Sequence, residues 1–157
     1  MTQRVELATV MDRLAVDELI TDYARAVDDA DWVSYEGLFV PEGRADHRSA
    51  GGIEGRVGEV AGWLAESMGL FGMRQHLILN RRVRFGLWEQ DVGDTARVEA
   101  DYVNPMRFAN GEVSGTVPDF VAGGRYSFTL LRTRDGWRFA GVVIDEKWRR
   151  LAERSLS

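Results

Sequence analysis

The sequence predicts an α+β fold: three helices followed by a curved, mostly antiparallel sheet that wraps the longest of them. Two observations lead there. Apolar residues recur at helical spacing down to Met68, then switch to period two from Met73 onward. Turn chemistry punctuates the second half at Val92-Gly93-Asp94, Asn110-Gly111 and Asp135-Gly136. A chain of 157 residues, with no repeat, low-complexity tract or linker, has the size of one domain and is long enough to bury a core.

The first helix is expected over about residues 9–27, because Val16, Leu19, Ile20, Tyr23, Ala24 and Val27 fall on one face. Thr9 and Asp12 resemble a capping pair at its start. Asp31 suits the cap of a short second helix in which Trp32, Tyr35 and Phe39 face one way. Pro41-Glu42-Gly43 then turns the chain into a brief strand, 44–49. A third helix spans roughly 56–68, with Val57, Val60, Ala61, Leu64 and Met68 as its apolar stripe. Strands are expected over 73–88, 95–108, 124–133 and 137–148. The concave face of their sheet would be core at one end and pocket at the other.

Composition excludes several function classes. The formal charge is −5, and basic residues alternate with acids, as in Glu146-Lys147-Trp148-Arg149-Arg150. That pattern reads as a solvated surface and gives no footprint for nucleic acid. There is no cysteine, so disulfides, thiolate metal sites and cysteine nucleophiles are ruled out. No stretch has the length and apolarity of a membrane span and no secretion signal is evident, so a cytoplasmic protein is expected. Five Trp and seven Phe suit a core and a pocket for flat organic molecules.

Polar residues on apolar strand faces are the informative exceptions. Around His76, Leu77 and Leu79 alternate with Ile78 and Asn80, which predicts a central strand covered on both sides, with His76 and Asn80 as buried groups needing partners. In 95–108, Val98, Ala100, Tyr102, Asn104 and Met106 share one face. His76 reads either as a core histidine satisfied by one hydrogen bond or as an acid–base group; only His47 offers a second imidazole. Asp28 ends the long helix and is placed to orient a histidine, although a solvated loop is an equally available role. Tyr23 and Asp28 lie five residues apart, roughly 140° around an ideal helix. Both line one cavity only if the helix unwinds near Asp28 or the cavity wraps its end.

Four segments together resemble the SnoaL-like branch of the nuclear transport factor 2-like superfamily, and within it the scytalone dehydratases most closely. They are Asp28-x-x-Asp31-Trp32, Arg44-x-Asp46-His47-Arg48-Ser49, Gln75-His76, and Asp135-Gly136-Trp137-Arg138-Phe139-Ala140-Gly141 with Asp145 and Trp148 behind it. The spacing of Tyr23, Asp28 and His76 is similar to that of bile-acid 7α-dehydratases. His76 followed by Asn80 is similar to hexachlorocyclohexane dehydrochlorinase, which carries lysine where this chain has Tyr23. The resemblance implies a cone-shaped α+β barrel with His76 as base, Asp28 as its orienting acid and Tyr23 beside them. It also implies a small-molecule substrate and a homo-oligomer, dimer or trimer, built on the outer sheet face. Scytalone dehydratases have a second histidine where this chain has Met106, a tyrosine at His47, and serine and asparagine near Arg125 and Ser127, so a different substrate is expected.

The function expected from these residues is a cofactor-independent, metal-free β-elimination on a small cyclic, aromatic or polycyclic hydroxy or carbonyl compound. Substrate contacts are expected from His47, Asp46, Asn80, Asn104 and Arg125, with Trp32, Tyr35, Met106, Phe108 and Phe128 as apolar wall. Three alternatives stay open: isomerase or cyclase chemistry with Asp46 as base, retro-aldol carbon–carbon cleavage by the same dyad, and a non-catalytic binding or assembly module. Neither a nucleic-acid nor a membrane partner is expected.

Overall fold

The computed structural model describes residues 2–110 and 116–152. Three helices pack on a strongly curled, seven-stranded mixed sheet, forming a cone-shaped half-barrel. In chain order the elements are α1 (Thr2–Asp28), α2 (Trp32–Gly37), β1 (Phe39–Asp46), a 3-10 turn (Arg48–Ala50), β2 (Glu54–Arg56), α3 (Val57–Met68), β3 (Phe71–Arg74), β4 (Leu77–Phe85), β5 (Thr95–Phe108), β6 (Phe120–Thr133) and β7 (Gly136–Leu151). The strand order is β2-β1-β7-β6-β5-β3, and β4 also pairs with β5. All pairings are antiparallel except β1 with β7, where the chain returns from its last strand to its first. No described helix is long and apolar enough to cross a membrane.

α1 buries the predicted stripe, Val16, Leu19, Ile20, Tyr23, Ala24 and Val27, each large side chain contributing about 1.5–3 kcal/mol. The aromatic centre of the core is Tyr23, whose ring meets Tyr126, Phe128 and Phe139 edge-on at 5.7 Å. α2 starts where expected: Asp31 Oδ1 accepts from Ser34 N at 3.0 Å. Gly136 adopts φ +99 in the β6–β7 turn, as Asp135-Gly136 predicts. Gly111 of the Asn110-Gly111 turn lies outside the described residues.

Several expectations are corrected. α1 begins at Thr2 rather than Thr9, and Thr9 is no cap: its hydroxyl donates back to Val5 O. Asp12 instead closes one end of the cone. Its carboxylate accepts from Trp88 Nε1 at 2.8 Å, Trp137 Nε1 at 3.1 Å and the Arg132 guanidinium, and Arg132 also pairs with Asp94. The strand expected over 44–49 begins earlier, at Phe39, and ends at Asp46, where the 3-10 turn takes over. The strand expected over 73–88 is two strands, broken at Gln75-His76. Nor is it covered on both sides, since Leu77 and Leu79 are exposed and only Ile78 is buried. β4 bonds to β5 alone and is a sheet edge.

Candidate active site

The break between β3 and β4 builds the site. Both strands run along the same edge of β5, with Arg74 opposite Met106 and Leu77 opposite Val103. Gln75 N still reaches Pro105 O at 3.1 Å. His76 N leaves the ladder and donates to the Asp28 carboxylate, 3.0 Å from each oxygen. The same carboxylate stands 2.6 Å from His76 Nδ1. An ionised carboxylate only accepts, so Nδ1 carries a proton, and in the neutral imidazole the lone pair falls to Nε2. The imidazole side chain is 7% exposed and Asp28 is 20% exposed.

Other polar groups gather around this pair. His47 follows β1, its main-chain N–H donating to Ile53 O, and it is the N-cap residue of the 3-10 turn. Its ring lies 5.3 Å from the Trp63 indole of α3. Gly52 permits this, because a Cβ there would collide with the Trp63 ring and His47 Cβ. Burial, and then the neighbouring His76, pull the His47 imidazole down to about 4, so it is neutral at physiological pH. Its Nε2 is buried without a partner.

β5 and β6 supply the floor. Inward positions along β5 run Ala96, Val98, Ala100, Tyr102, Asn104, Met106, in the alternation expected for that strand. Asn104 lies beside the Tyr126 hydroxyl, and its Oδ1 is buried and unpartnered. Tyr126 lies within electrostatic reach of Asp28 and links the dyad to Tyr23 and Tyr35. Burial pushes all four of Tyr23, Tyr35, Tyr102 and Tyr126 up, so each stays a protonated donor at neutral pH. Tyr35 Oη sits near Tyr23 without hydrogen-bonding geometry and has no partner.

Two apolar clusters pack around these groups, and Met68 touches both. One is the main core, reaching Tyr102 and Tyr126. In the other, Phe71, Met106, Phe120 and Ala122 pack together with Met68 and Phe108 against them. His47, Asn104 and Tyr35 each present an unsatisfied atom in the interior, where an unpaired polar group costs about 1–3 kcal/mol. A ligand offering complementary groups would remove that cost.

Of the expected site residues, His76 and Asp28 meet directly, and His47, Asn104, Tyr23, Tyr35 and Met106 lie in the same interior. Four others are placed differently. Asn80 is exposed, sits at φ +51 in a bulge of β4, and donates to Asp101. Arg125 is exposed and pairs with the same Asp101 at 2.9 Å, on the outer sheet face. Asp46 is bound by Arg48 at 2.8 Å, which holds its carboxyl down at about 2. Phe128 is fully buried core, stacked between Tyr126 and Phe139. Trp32 and Phe108 are half-buried, the first packed on Tyr35 and the second stacked on Phe71. Sequence reasoning missed Tyr126, Tyr102 and Trp63; the inward alternation of β5 already pointed to Tyr102.

Residues 8–143 match the SnoaL-like domain family. The chain belongs to that family. It is 32% identical over 134 residues to the uncharacterized proteins Rv2910c of Mycobacterium tuberculosis and Mb2934c of Mycobacterium bovis, covering 85% of this chain and 84% of each relative. Solved structures share the SnoaL-like fold at lower identity. The Kfla4162 protein of Kribbella flavida aligns with TM-score 0.74 at 23% identity, covering 90% of this chain and 95% of that one. A hexachlorocyclohexane dehydrochlorinase from Novosphingobium barchaimii aligns at 0.73 and 15%, covering 97% and 98%. A proposed scytalone dehydratase from Novosphingobium aromaticivorans aligns at 0.72 and 16%, covering 100% and 99%. The resemblance read from the sequence is borne out at the level of family and fold.

Proposed function

We propose that this SnoaL-like protein is a cofactor-independent lyase that eliminates water from a small cyclic, aromatic or polycyclic hydroxy-carbonyl compound. The observation that carries this reading is the 2.6 Å contact between His76 Nδ1 and Asp28 Oδ1, with the same carboxylate gripping the His76 main chain. Neutral His76 uses Nε2 to take the proton from carbon next to the carbonyl, and Asp28 stabilises the imidazolium. The C–H electron pair becomes the new C=C bond as the C–O bond breaks. The imidazolium returns its proton to the departing hydroxyl, which leaves as water, and the dyad is restored. The buried, protonated Tyr126, with neutral His47 and Asn104 nearby, is suited to hydrogen-bond the oxygen that gains charge. Tyr23 acts behind Tyr126 in this reading, since its hydroxyl faces Tyr35 and Tyr126 in the aromatic centre.

The isomerase alternative, with Asp46 as base, has less support: that carboxylate is engaged by Arg48 and poorly basic. A panel of cyclic β-hydroxy ketones, followed by the absorbance of the conjugated enone, tests the proposal. Turnover is expected, and His76→Ala should abolish it while circular dichroism and melting stay near those of the parent. A folded His76→Ala protein with near-full activity overturns the assignment.

A further inference from the structure

We propose that Arg74, two residues before His76, is the positioning residue of the dyad; this rests on the reading of His76 and Asp28 as a working pair. Asp28 is the last residue of α1, so its carbonyl is among those that the helix leaves unsatisfied. Arg74 takes that carbonyl with two donors, Nη2 at 2.9 Å and Nε at 3.2 Å. Its Nη1 donates to Met68 O, at the end of α3, at 3.1 Å and to Phe71 O at 2.8 Å. One half-buried guanidinium thus gathers the C-terminal ends of two helices, where a cation is favoured by the helix dipoles, and ties them to the segment that carries His76.

The consequence for Asp28 is geometric. Its main-chain carbonyl is held by Arg74 and its carboxylate by His76, both from the segment Arg74-Gln75-His76. With both ends of the residue anchored to one short segment, the carboxylate has little freedom to swing away from Nδ1. The four hydrogen bonds of Arg74 go to main-chain carbonyls, those of Asp28, Met68 and Phe71. Charge alone does not reproduce this arrangement, because a lysine ammonium lacks the planar fork that reaches three carbonyls at once.

Arg74→Lys separates geometry from charge, and the His76 ring proton reads it without any substrate. The chain has two histidines, so ¹⁵N-histidine labelling with His47→Gln as assignment control isolates His76. The parent should show a hydrogen-bonded Nδ1–H resonance shifted far downfield. A folded Arg74→Lys protein should lose or broaden it, lower kcat about 10- to 100-fold with KM nearly unchanged, and have less than about a twofold effect in an Asp28→Asn background. A folded Arg74→Lys protein with the parent ring signal overturns the inference. If Arg74→Lys does not fold, Arg74→Ala with added methylguanidinium decides. Recovery of fold and ring signal together supports the inference, and recovery of melting temperature without the signal overturns it. Loss of the signal in Arg74→Lys, in a parent whose turnover survives His76→Gln, keeps the positioning role and removes the lyase reading.

Discussion

Asp28 receives both the ring Nδ1–H and the main-chain N–H of His76. One carboxylate therefore sets where the residue sits and which tautomer its ring adopts. Asp28→Asn should lower kcat by about 10³-fold, because an amide can donate to Nδ1 and so place the proton on Nε2, where the base is needed. Steady-state kinetics against the parent check this; a loss of less than about tenfold would mean that orientation by Asp28 contributes little to the rate.

Asp46 offers the contrast. Its carboxylate bonds the side chain and main chain of Arg48, so Asp46→Asn should leave turnover within about twofold. Measured beside Asp28→Asn, a collapse of activity in Asp46→Asn alone would move the base to the first strand and favour isomerase chemistry.

His47 should make the fold acid-sensitive. Its folded value, about 4, lies below the ordinary 6.5, so between those limits the unfolded chain binds the extra proton. The stability it contributes is complete above pH 6.5 and falls away as pH drops toward 4. Its titratable neighbours, His76 and Asp46, act in opposite directions on it, and burial outweighs both. The loss is on the order of 3 kcal/mol across that window. Urea denaturation from pH 4 to 7 should show a shallower slope for His47→Gln than for the parent; equal slopes would count against a buried neutral imidazole.

Asp12 governs stability rather than chemistry. Burial raises its pKa, but hydrogen bonds from Arg132, Trp88 and Trp137 outweigh that and leave it lowered. Asp12→Ala leaves Arg132 with Asp94 alone and strands two indole N–H groups, and should cost about 3 kcal/mol in urea unfolding. The Km of the surviving folded protein should be unchanged. Because the folded carboxyl titrates below its ordinary value, its contribution is present above the normal carboxylate range and disappears as pH falls through the lowered one.

Local pattern made much of this legible. The α1 stripe, the Asp31 cap, α3 and the full span of β5 follow from spacing and turn residues, and the His76–Asp28 pair was reachable through resemblance. What escaped depends on contacts between residues far apart in sequence. Nothing local distinguishes Asp12 as the partner of Trp137, 125 positions away. Continuous apolar alternation from Met73 hides the break at Gln75-His76, since the diverted N–H bonds to a helix end rather than to a strand. Asn80 was misplaced for a related reason. The bulge between Leu79 and Arg82 resets the two-residue period, turning its side chain outward to Asp101.

The interior of the chain is divided between two apolar clusters. Cohesion rests on Tyr23, Phe128, Phe139 and their neighbours, whereas Phe71, Met106, Phe108 and Phe120 form a separate patch beyond Asn104. Met68, which packs against both, is the side chain through which a change in one cluster would be felt in the other.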